Sequence, residues 1–244
     1  MRLVAAAAAA ALMLAGCGDG DEPRLVVSAA SSMTDALEDC GSDFRGAEVR
    51  LSFAGSDELA AQIRQGAKPD VYAAANTTLP EELNKERRLS QPVQFATNEL
   101  VIAVPRDSDV RQVADLGRQG MKLAIGSESV PIGSYTRELL SRLPGDQGNR
   151  ILANVRSNEP DVKGIVGKLT QGAADAGFVY VTDVNAVSAR LRAVKLPSDL
   201  EPDVTYAAGV VKGAKRPHDA RDFVRGLTDG RCADALARAG FEAP

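Results

Sequence analysis

Two segments decide the fold of this chain, Ser28-Ala-Ala-Ser31-Ser32-Met-Thr34 and Phe53-Ala-Gly55-Ser56-Asp-Glu-Leu59. Each follows an apolar run typical of a β-strand and precedes a run typical of a helix. A helix N-terminus has free backbone N–H groups and a partial positive charge. A serine at that point adds a hydroxyl group that either caps the helix or turns to a ligand. Two such junctions that point at one volume would form an anion site without a charged side chain.

The same alternation of short apolar strands and helices continues to the C-terminus, which predicts an α/β fold with mainly parallel sheets. Later junctions include Val130-Pro131-Ile132-Gly133-Ser134 and the segment around Asp161-Val162, where Asp161 is the expected N-cap. The segment 151–155 is predicted as a strand, and Ala176-Gly-Phe-Val-Tyr180 as another. Open α/β sheets bind ligands at the carboxyl ends of their strands, so two facing sheets would bring these junctions together.

Composition excludes several classes of function. The chain has 29 Lys and Arg against 33 Asp and Glu, and it has no Trp. A mildly acidic protein with few aromatic residues lacks the basic stripe and the stacking surfaces that nucleic acids need. The only histidine is His218, and no matched nucleophile or cluster of metal-ligating residues accompanies it. We therefore expect no nucleic-acid partner, no enzyme activity and no cofactor.

The N-terminus predicts export and a lipid anchor. Residues 1–16 have one basic residue and an apolar run, as in a signal peptide, and they end in Leu14-Ala-Gly-Cys17, which resembles a bacterial lipobox. We expect Cys17 to be acylated, residues 17–24 to form a tether, and the protein to lie on the outer side of the cytoplasmic membrane. The alternative is an ordinary signal peptide with a chance cysteine. No other run is long enough to cross a membrane.

Cys40 and Cys232 remain once Cys17 is assigned to the lipid. An even number of cysteines in an oxidising compartment is compatible with a disulfide. That bond would close a very long loop and stabilise the fold by up to about 5 kcal/mol. The alternative is two buried free thiols.

Motifs along the chain resemble those of periplasmic molybdate-binding proteins, the substrate-binding components of ABC importers. Their order and spacing cover residues from about Leu25 to Phe241. The motifs are Ala29-Ala-Ser-Ser-Met-Thr-Asp-Ala-Leu37, Phe53-Ala-Gly-Ser-Asp-Glu-Leu59, Gly66-Ala-Lys-Pro-Asp-Val-Tyr-Ala-Ala-Ala75, Asn98-Glu-Leu-Val-Ile-Ala-Val-Pro105, Val130-Pro-Ile-Gly-Ser-Tyr135, Ala176-Gly-Phe-Val-Tyr180 and Ala239-Gly-Phe241. The resemblance implies a two-lobed type II periplasmic binding protein fold with the ligand in the cleft. Residues 25–99 and 206–244 would form lobe 1, and residues 100–205 would form lobe 2.

The resemblance also implies a set of ligand contacts. Ser32 and Ser56 would each give a hydroxyl and a backbone N–H, Ile132 and Val162 a backbone N–H, and Tyr180 its phenol hydroxyl. Ser31, beside Ser32, is a possible additional contact, and the alternative role for both junction serines is helix capping. The implied ligand is molybdate or tungstate, with molybdenum present only as the oxyanion and no direct protein–metal bond. The implied partner is an ABC transporter permease, and the expected state is a monomer.

Rival functions within this fold are binding of another anion, of a ferric ion or of an organic acid. Ferric sites use adjacent tyrosines, whereas Tyr72, Tyr135, Tyr180 and Tyr206 lie far apart in the sequence. A surface lipoprotein without a ligand is a third possibility. A site of fixed donors accepts an unprotonated tetrahedral oxyanion and rejects phosphate, whose proton would need an acceptor. Because no titrating side chain is predicted at the site, we expect affinity to be flat across neutral pH.

Overall fold

The computed structural model describes residues 24–244. The predicted signal peptide 1–16, the acylation of Cys17 and nearly all of the tether lie outside the described residues. The strands are β1 (Arg24–Ala30), β2 (Glu48–Ala54), β3 (Val71–Ala74), β4 (Val93–Asn98), β5 (Leu100–Pro105), β6 (Leu123–Gly126), β7 (Val155–Glu159), β8 (Ala176–Tyr180), β9 (Leu191–Lys195) and β10 (Val204–Val210). The helices are α1 (Thr34–Ser42), α2 (Ser56–Arg64), α3 (Thr78–Lys85), α4 (Pro131–Ser141), α5 (Gln147–Ala153), α6 (Val162–Thr170), α7 (Val181–Ala186), α8 (Pro217–Gly226) and α9 (Arg231–Ala239), with 3₁₀ turns at Ser31–Met33 and Val113–Gly117.

The strands form two five-stranded sheets. The first has the order β2-β1-β3-β10-β4 and the second has the order β7-β6-β8-β5-β9. In the first sheet β1 is parallel to β2 and β3, and β10 is antiparallel to both of its neighbours. In the second sheet β6 is parallel to β7 and β8, and β5 is antiparallel to both of its neighbours. The α/β class is thus confirmed, but each sheet is mixed because one strand is reversed.

The chain passes between the sheets twice. Glu99 alone separates β4 of the first sheet from β5 of the second, and the segment 196–203 returns the chain from β9 to β10. We call the first sheet with its helices the first lobe and the second sheet with its helices the second lobe. β10 begins at Val204, two residues before the predicted start of the returning lobe 1 segment, and β1 begins at Arg24, the last residue of the predicted tether.

Two local predictions are wrong or incomplete. The segment 151–155 was predicted as a strand, but the structure continues α5 to Ala153 and starts β7 at Val155. A short apolar run fits either structure, and packing decides: the Asn154 amide ends the helix by donating to the carbonyls of Leu116 and Arg118, both at 2.8 Å. β4 was missed because its first two residues are exposed at the edge of the sheet.

The fold brings Cys40 of α1 and Cys232 of α9 together. The two residues form a disulfide bond, and both are buried. The bond links positions separated by 192 residues in the sequence. It therefore fastens the C-terminal helix to the first helix of the first lobe. Within residues 24–244, no helix has the length and apolar character needed to cross a membrane.

Candidate functional site

A narrow cleft lies between the two lobes, where strands end and helices begin. It contains every predicted ligand contact, including Ser31. The lining residues are Ala30, Ser31, Ser32, Ala54, Gly55, Ser56, Ala75, Val130, Pro131, Ile132, Asp161, Val162 and Tyr180. Asp161 is the one charged residue among them, and its carboxylate caps α6 by accepting the Gly164 N–H at 2.9 Å. The cleft wall is otherwise neutral.

Ser56 is the first residue of α2, and it does not cap that helix. Gly55 is the N-cap residue, and the Ser56 hydroxyl oxygen instead accepts the backbone N–H of Ala75 at 3.1 Å. Tyr72 donates its hydroxyl to the Ser56 carbonyl at 2.7 Å, which fixes the backbone at this point. Since the Ser56 hydroxyl already accepts a hydrogen bond, its own hydrogen is available to a ligand.

Ser32 lies in the 3₁₀ turn that follows β1, and it does not cap a helix either. Its hydroxyl oxygen lies 2.9 Å from the hydroxyl oxygen of Tyr206, which comes from β10 of the same lobe. Ser31 also lines the cleft and is buried. The capping alternative for the two junction serines thus has no support in the structure.

The second lobe contributes backbone N–H groups at two helix N-termini. Ile132 is the second residue of α4, and Val162 is the first residue of α6. N–H groups at these positions have no carbonyl partner within their own helix. Both residues are buried against the cleft, so their donors need a partner there.

Tyr180 ends β8, and its side chain is 1% exposed. Its hydroxyl is buried and has no hydrogen-bond partner in the described part of the chain. Burial raises the pKa of this phenol well above its ordinary value, so the group stays neutral and keeps its proton. An unpartnered buried donor at the cleft is the strongest sign of a ligand contact in the second lobe.

Asp183 is a buried acid beside Tyr180 that the sequence reasoning missed. Its side chain is fully buried, and one carboxylate oxygen accepts the Tyr180 N–H at 3.3 Å. Burial raises the pKa of Asp183 to about 7, and the Lys163 ammonium at 3.6 Å opposes that rise. Lys163 also lies 3.5 Å from Asp35 of the first lobe. The one available signal was an acid in the first turn of a helix, which is too common to indicate a buried group.

The lobes touch each other on several sides of the cleft, so this is a closed arrangement. Ser129 donates to Asp57 across the cleft, and Tyr135 donates to the Ala75 carbonyl at 3.4 Å. A Cβ atom on Gly55 would lie 2.4 Å from the Pro160 carbonyl oxygen of the opposite lobe. Glycine is therefore required at 55 for this closeness of approach.

Two tyrosines that lie far apart in the sequence are neighbours in the fold. The rings of Tyr180 and Tyr206 are neighbours, with centroids 5.9 Å apart. Burial nevertheless raises the pKa of both phenols well above the ordinary value, which opposes the tyrosinate form that a ferric ion requires. Among residues 24–244, no group of three or more His, Cys, Asp or Glu residues is placed to hold a metal ion.

The two-lobed fold and its cleft define a class, the ligand-binding proteins of bacterial import systems. The chain belongs to the bacterial extracellular solute-binding protein family, whose model matches residues 25–242. It is a binding protein rather than an enzyme, and it acts outside the cytoplasm.

Among relatives, the chain is similar to the molybdate-binding protein ModA of Mycobacterium tuberculosis, with 36% identity over 227 residues that cover 90% of this chain and 85% of ModA. It is 31% identical to ModA of Haemophilus influenzae, with 96% of each chain covered. Among solved structures, the Azotobacter vinelandii periplasmic molybdate-binding protein matches with a TM-score of 0.78 and 20% identity, covering 90% of this chain and 99% of that one. The sulfate-binding protein SubI of M. tuberculosis matches with a TM-score of 0.81 and 15% identity, covering 90% and 86%. These two structures confirm the type II fold.

Proposed function

We propose that the protein captures molybdate outside the cytoplasmic membrane and delivers it to the permease of an ABC importer. The observation that carries the proposal is a closed cleft in which neutral hydrogen-bond donors from both lobes converge, one of them the unpartnered hydroxyl of Tyr180. The names of the relatives from M. tuberculosis and H. influenzae support molybdate as the anion.

The donors are sufficient in number for a buried dianion. Ser32 and Ser56 each offer a hydroxyl and an N–H, Ile132 and Val162 each offer an N–H, and Tyr180 offers its hydroxyl. A hydrogen bond to a charged group contributes about 1.5–3 kcal/mol, so this set contributes on the order of 10–20 kcal/mol before the costs of ordering and closure. Micromolar or tighter binding follows if nearly every anion oxygen is satisfied.

The donor set also selects among anions. Fixed N–H and O–H groups suit an unprotonated tetrahedral oxyanion, whereas phosphate carries a proton at neutral pH and needs an acceptor. Sulfate is unprotonated but smaller, so several donors would be too far from its oxygens. Tungstate has the charge and nearly the size of molybdate, and we propose that it binds as well.

Isothermal titration calorimetry of the folded protein with molybdate, tungstate, sulfate and phosphate tests the proposal. We expect binding of the first two, weaker binding of sulfate and no competition by phosphate. Equal competition by phosphate, or tight binding of ferric citrate alone, would contradict it.

The two serines give a sharper test of the site. Ser32→Ala and Ser56→Ala should each weaken molybdate binding by about 1.5–3 kcal/mol, which is about 10- to 140-fold. Ser42→Ala is a matched control, because Ser42 lies on the same lobe and its exposed hydroxyl donates to the Asp39 carbonyl. Unchanged affinity in both site variants would remove the serines from the ligand set.

The membrane attachment is part of the same proposal. Acylation of Cys17 would hold a monomeric binding protein near its permease, with residues 17–24 as the tether. A Cys17→Ser variant should then move from the membrane fraction to the soluble fraction of cells. Retention in the membrane fraction would argue against the lipid anchor.

A further inference from the structure

We propose that Tyr206 is a positioning residue that forces the hydroxyl of Ser32 to act as a donor and so maintains discrimination against protonated anions. The inference rests on the proposed function, because it concerns how the same cleft chooses its anion. It assigns a role to a residue that does not line the cleft.

The ring of Tyr206 is held rigidly. The residue is 0% exposed, and three aromatic rings meet it edge to face. Their centroids lie 5.3 Å away for Phe241, 5.9 Å for Tyr180 and 6.2 Å for Phe95. The phenol oxygen therefore has a fixed place, 2.9 Å from the hydroxyl oxygen of Ser32.

The direction of the Ser32–Tyr206 hydrogen bond follows from the neighbours of Tyr206. The backbone N–H of Glu99 can only donate, and it lies 2.9 Å from the Asn98 side-chain oxygen, which fixes the orientation of that amide. The Asn98 amide nitrogen then donates to Thr182 at 2.9 Å and faces the Tyr206 hydroxyl at 3.5 Å. Among residues 24–244, Ser32 and Asn98 are the groups in hydrogen-bond geometry with this hydroxyl. The Asn98 nitrogen only donates, and a buried phenol proton needs an acceptor, so we infer that this proton points to Ser32.

This direction has a consequence inside the cleft. A hydrogen on the Ser32 hydroxyl cannot turn back toward Tyr206, because it would meet the phenol proton there. The hydrogen is left to point into the cleft, where an unprotonated anion accepts it. Ser56 is arranged in the same way by the N–H of Ala75, but only proline would remove that donor, and proline would also constrain the backbone. Of the two groups that orient the serine hydroxyls, Tyr206 is therefore the one that a side-chain substitution can test.

The principal variant is Tyr206→Phe, assayed by calorimetry with molybdate and by competition with phosphate. We expect molybdate affinity to fall about 2- to 12-fold, the effect of one neutral hydrogen bond. Phosphate should compete more strongly than in the wild type, where we expect no competition, because the freed Ser32 hydroxyl can rotate and accept the phosphate proton. The molybdate-to-phosphate affinity ratio should therefore fall.

Tyr72→Phe is the matched control. Tyr72 is also fully buried in the first sheet, but its hydroxyl donates to a carbonyl, that of Ser56, and not to a serine hydroxyl. Its loss should lower thermal stability. Any loosening of the Ser56 backbone should weaken both anions by a similar factor, so the affinity ratio should stay unchanged. Equal changes in ratio for both variants would mean that Tyr206 acts only through packing.

A double-mutant cycle separates positioning from general structural damage. If Tyr206 acts through Ser32, then Ser32→Ala and the double variant Ser32→Ala/Tyr206→Phe should bind molybdate within about twofold of each other, as coupled residues do. Effects that multiply would overturn the inference. A wild-type protein that does not bind molybdate would instead overturn the proposed function.

Asn98→Asp provides a second route if Tyr206→Phe does not fold. A carboxylate in place of the amide accepts a hydrogen bond from the Tyr206 hydroxyl. The Ser32 hydroxyl must then donate to Tyr206, so it can no longer donate to the anion. The added negative charge weakens binding in any background, but the reversal operates only when Ser32 is present. Asn98→Asp should therefore cost more in the wild type than in Ser32→Ala, and equal costs would refute the inference.

Discussion

Tyr180→Phe should stabilise the protein without ligand and weaken its binding of molybdate. The hydroxyl that this substitution removes is buried and unpartnered in the described part of the chain. A buried donor without a partner costs about 1–3 kcal/mol of stability, so its removal should raise the free energy of unfolding by up to that amount. For a protein of this size the melting temperature should rise by about 2–4 °C per kcal/mol.

The effect on binding should have the opposite sign. In the proposed complex this hydroxyl would donate to the anion, and a hydrogen bond to a charged group contributes about 1.5–3 kcal/mol. Molybdate affinity should therefore fall about 10- to 140-fold by calorimetry, while thermal unfolding without ligand shifts upward. Tyr72→Phe is the control for the change in stability: its hydroxyl already donates to the Ser56 carbonyl at 2.7 Å, so its loss should destabilise the protein. Unchanged affinity, or a fall in stability without ligand, would refute this account of Tyr180.

Three further variants test other parts of the structure. Gly55→Ala suits the local backbone, whose φ is −60°, but its Cβ would collide with the Pro160 carbonyl across the cleft. We expect calorimetry to show about 5- to 140-fold weaker molybdate binding for this variant. Gly226→Ala is the control, because its Cβ would meet open space, and its affinity should be unchanged. Because the pKa of Asp183 is about 7 when folded and lower when unfolded, the folded state holds the extra proton between about pH 4 and 7, and stability falls as pH rises through that window. Asp183→Asn should therefore show a smaller loss of melting temperature from pH 5 to pH 8 than the wild type, and an equal loss would contradict the assignment. Replacing both Cys40 and Cys232 with serine should lower the free energy of unfolding in urea by up to about 5 kcal/mol, since the bond closes a loop of 192 residues; an unchanged midpoint would show that the disulfide does not form in solution.

The sequence was informative where the site depends on local structure. Ser32, Ser56, Ile132 and Val162 lie where a strand or loop leads into a helix, and such junctions can be recognised from the residues that form them. Asp161 was expected to cap α6, and its carboxylate does accept the Gly164 N–H. A parallel arrangement then places these junctions at one edge of each sheet.

The sequence was uninformative where the site depends on which distant strands become neighbours. Tyr206 reaches Ser32 because β10 runs in reverse within the first sheet, and no local pattern specifies that reversal. Asp183 is buried because the second lobe covers it, so its pKa depends on packing rather than on its neighbours in sequence. The expectation of pH-independent affinity was reached without this group, and Asp183 is the first residue to examine if affinity changes near pH 7.

The unpartnered hydroxyl of Tyr180 also explains why closure and recognition would occur together. Ser32 and Ser56 belong to the first lobe, while Ile132, Val162 and Tyr180 belong to the second, so the donors surround one volume only when the lobes meet. Closing without an anion removes water from these donors and leaves them unsatisfied, which costs free energy for each donor. An oxyanion that accepts from both walls removes that cost and stabilises the closed form. A protonated or undersized anion would satisfy fewer donors, so the same penalty would also reject the wrong ligand.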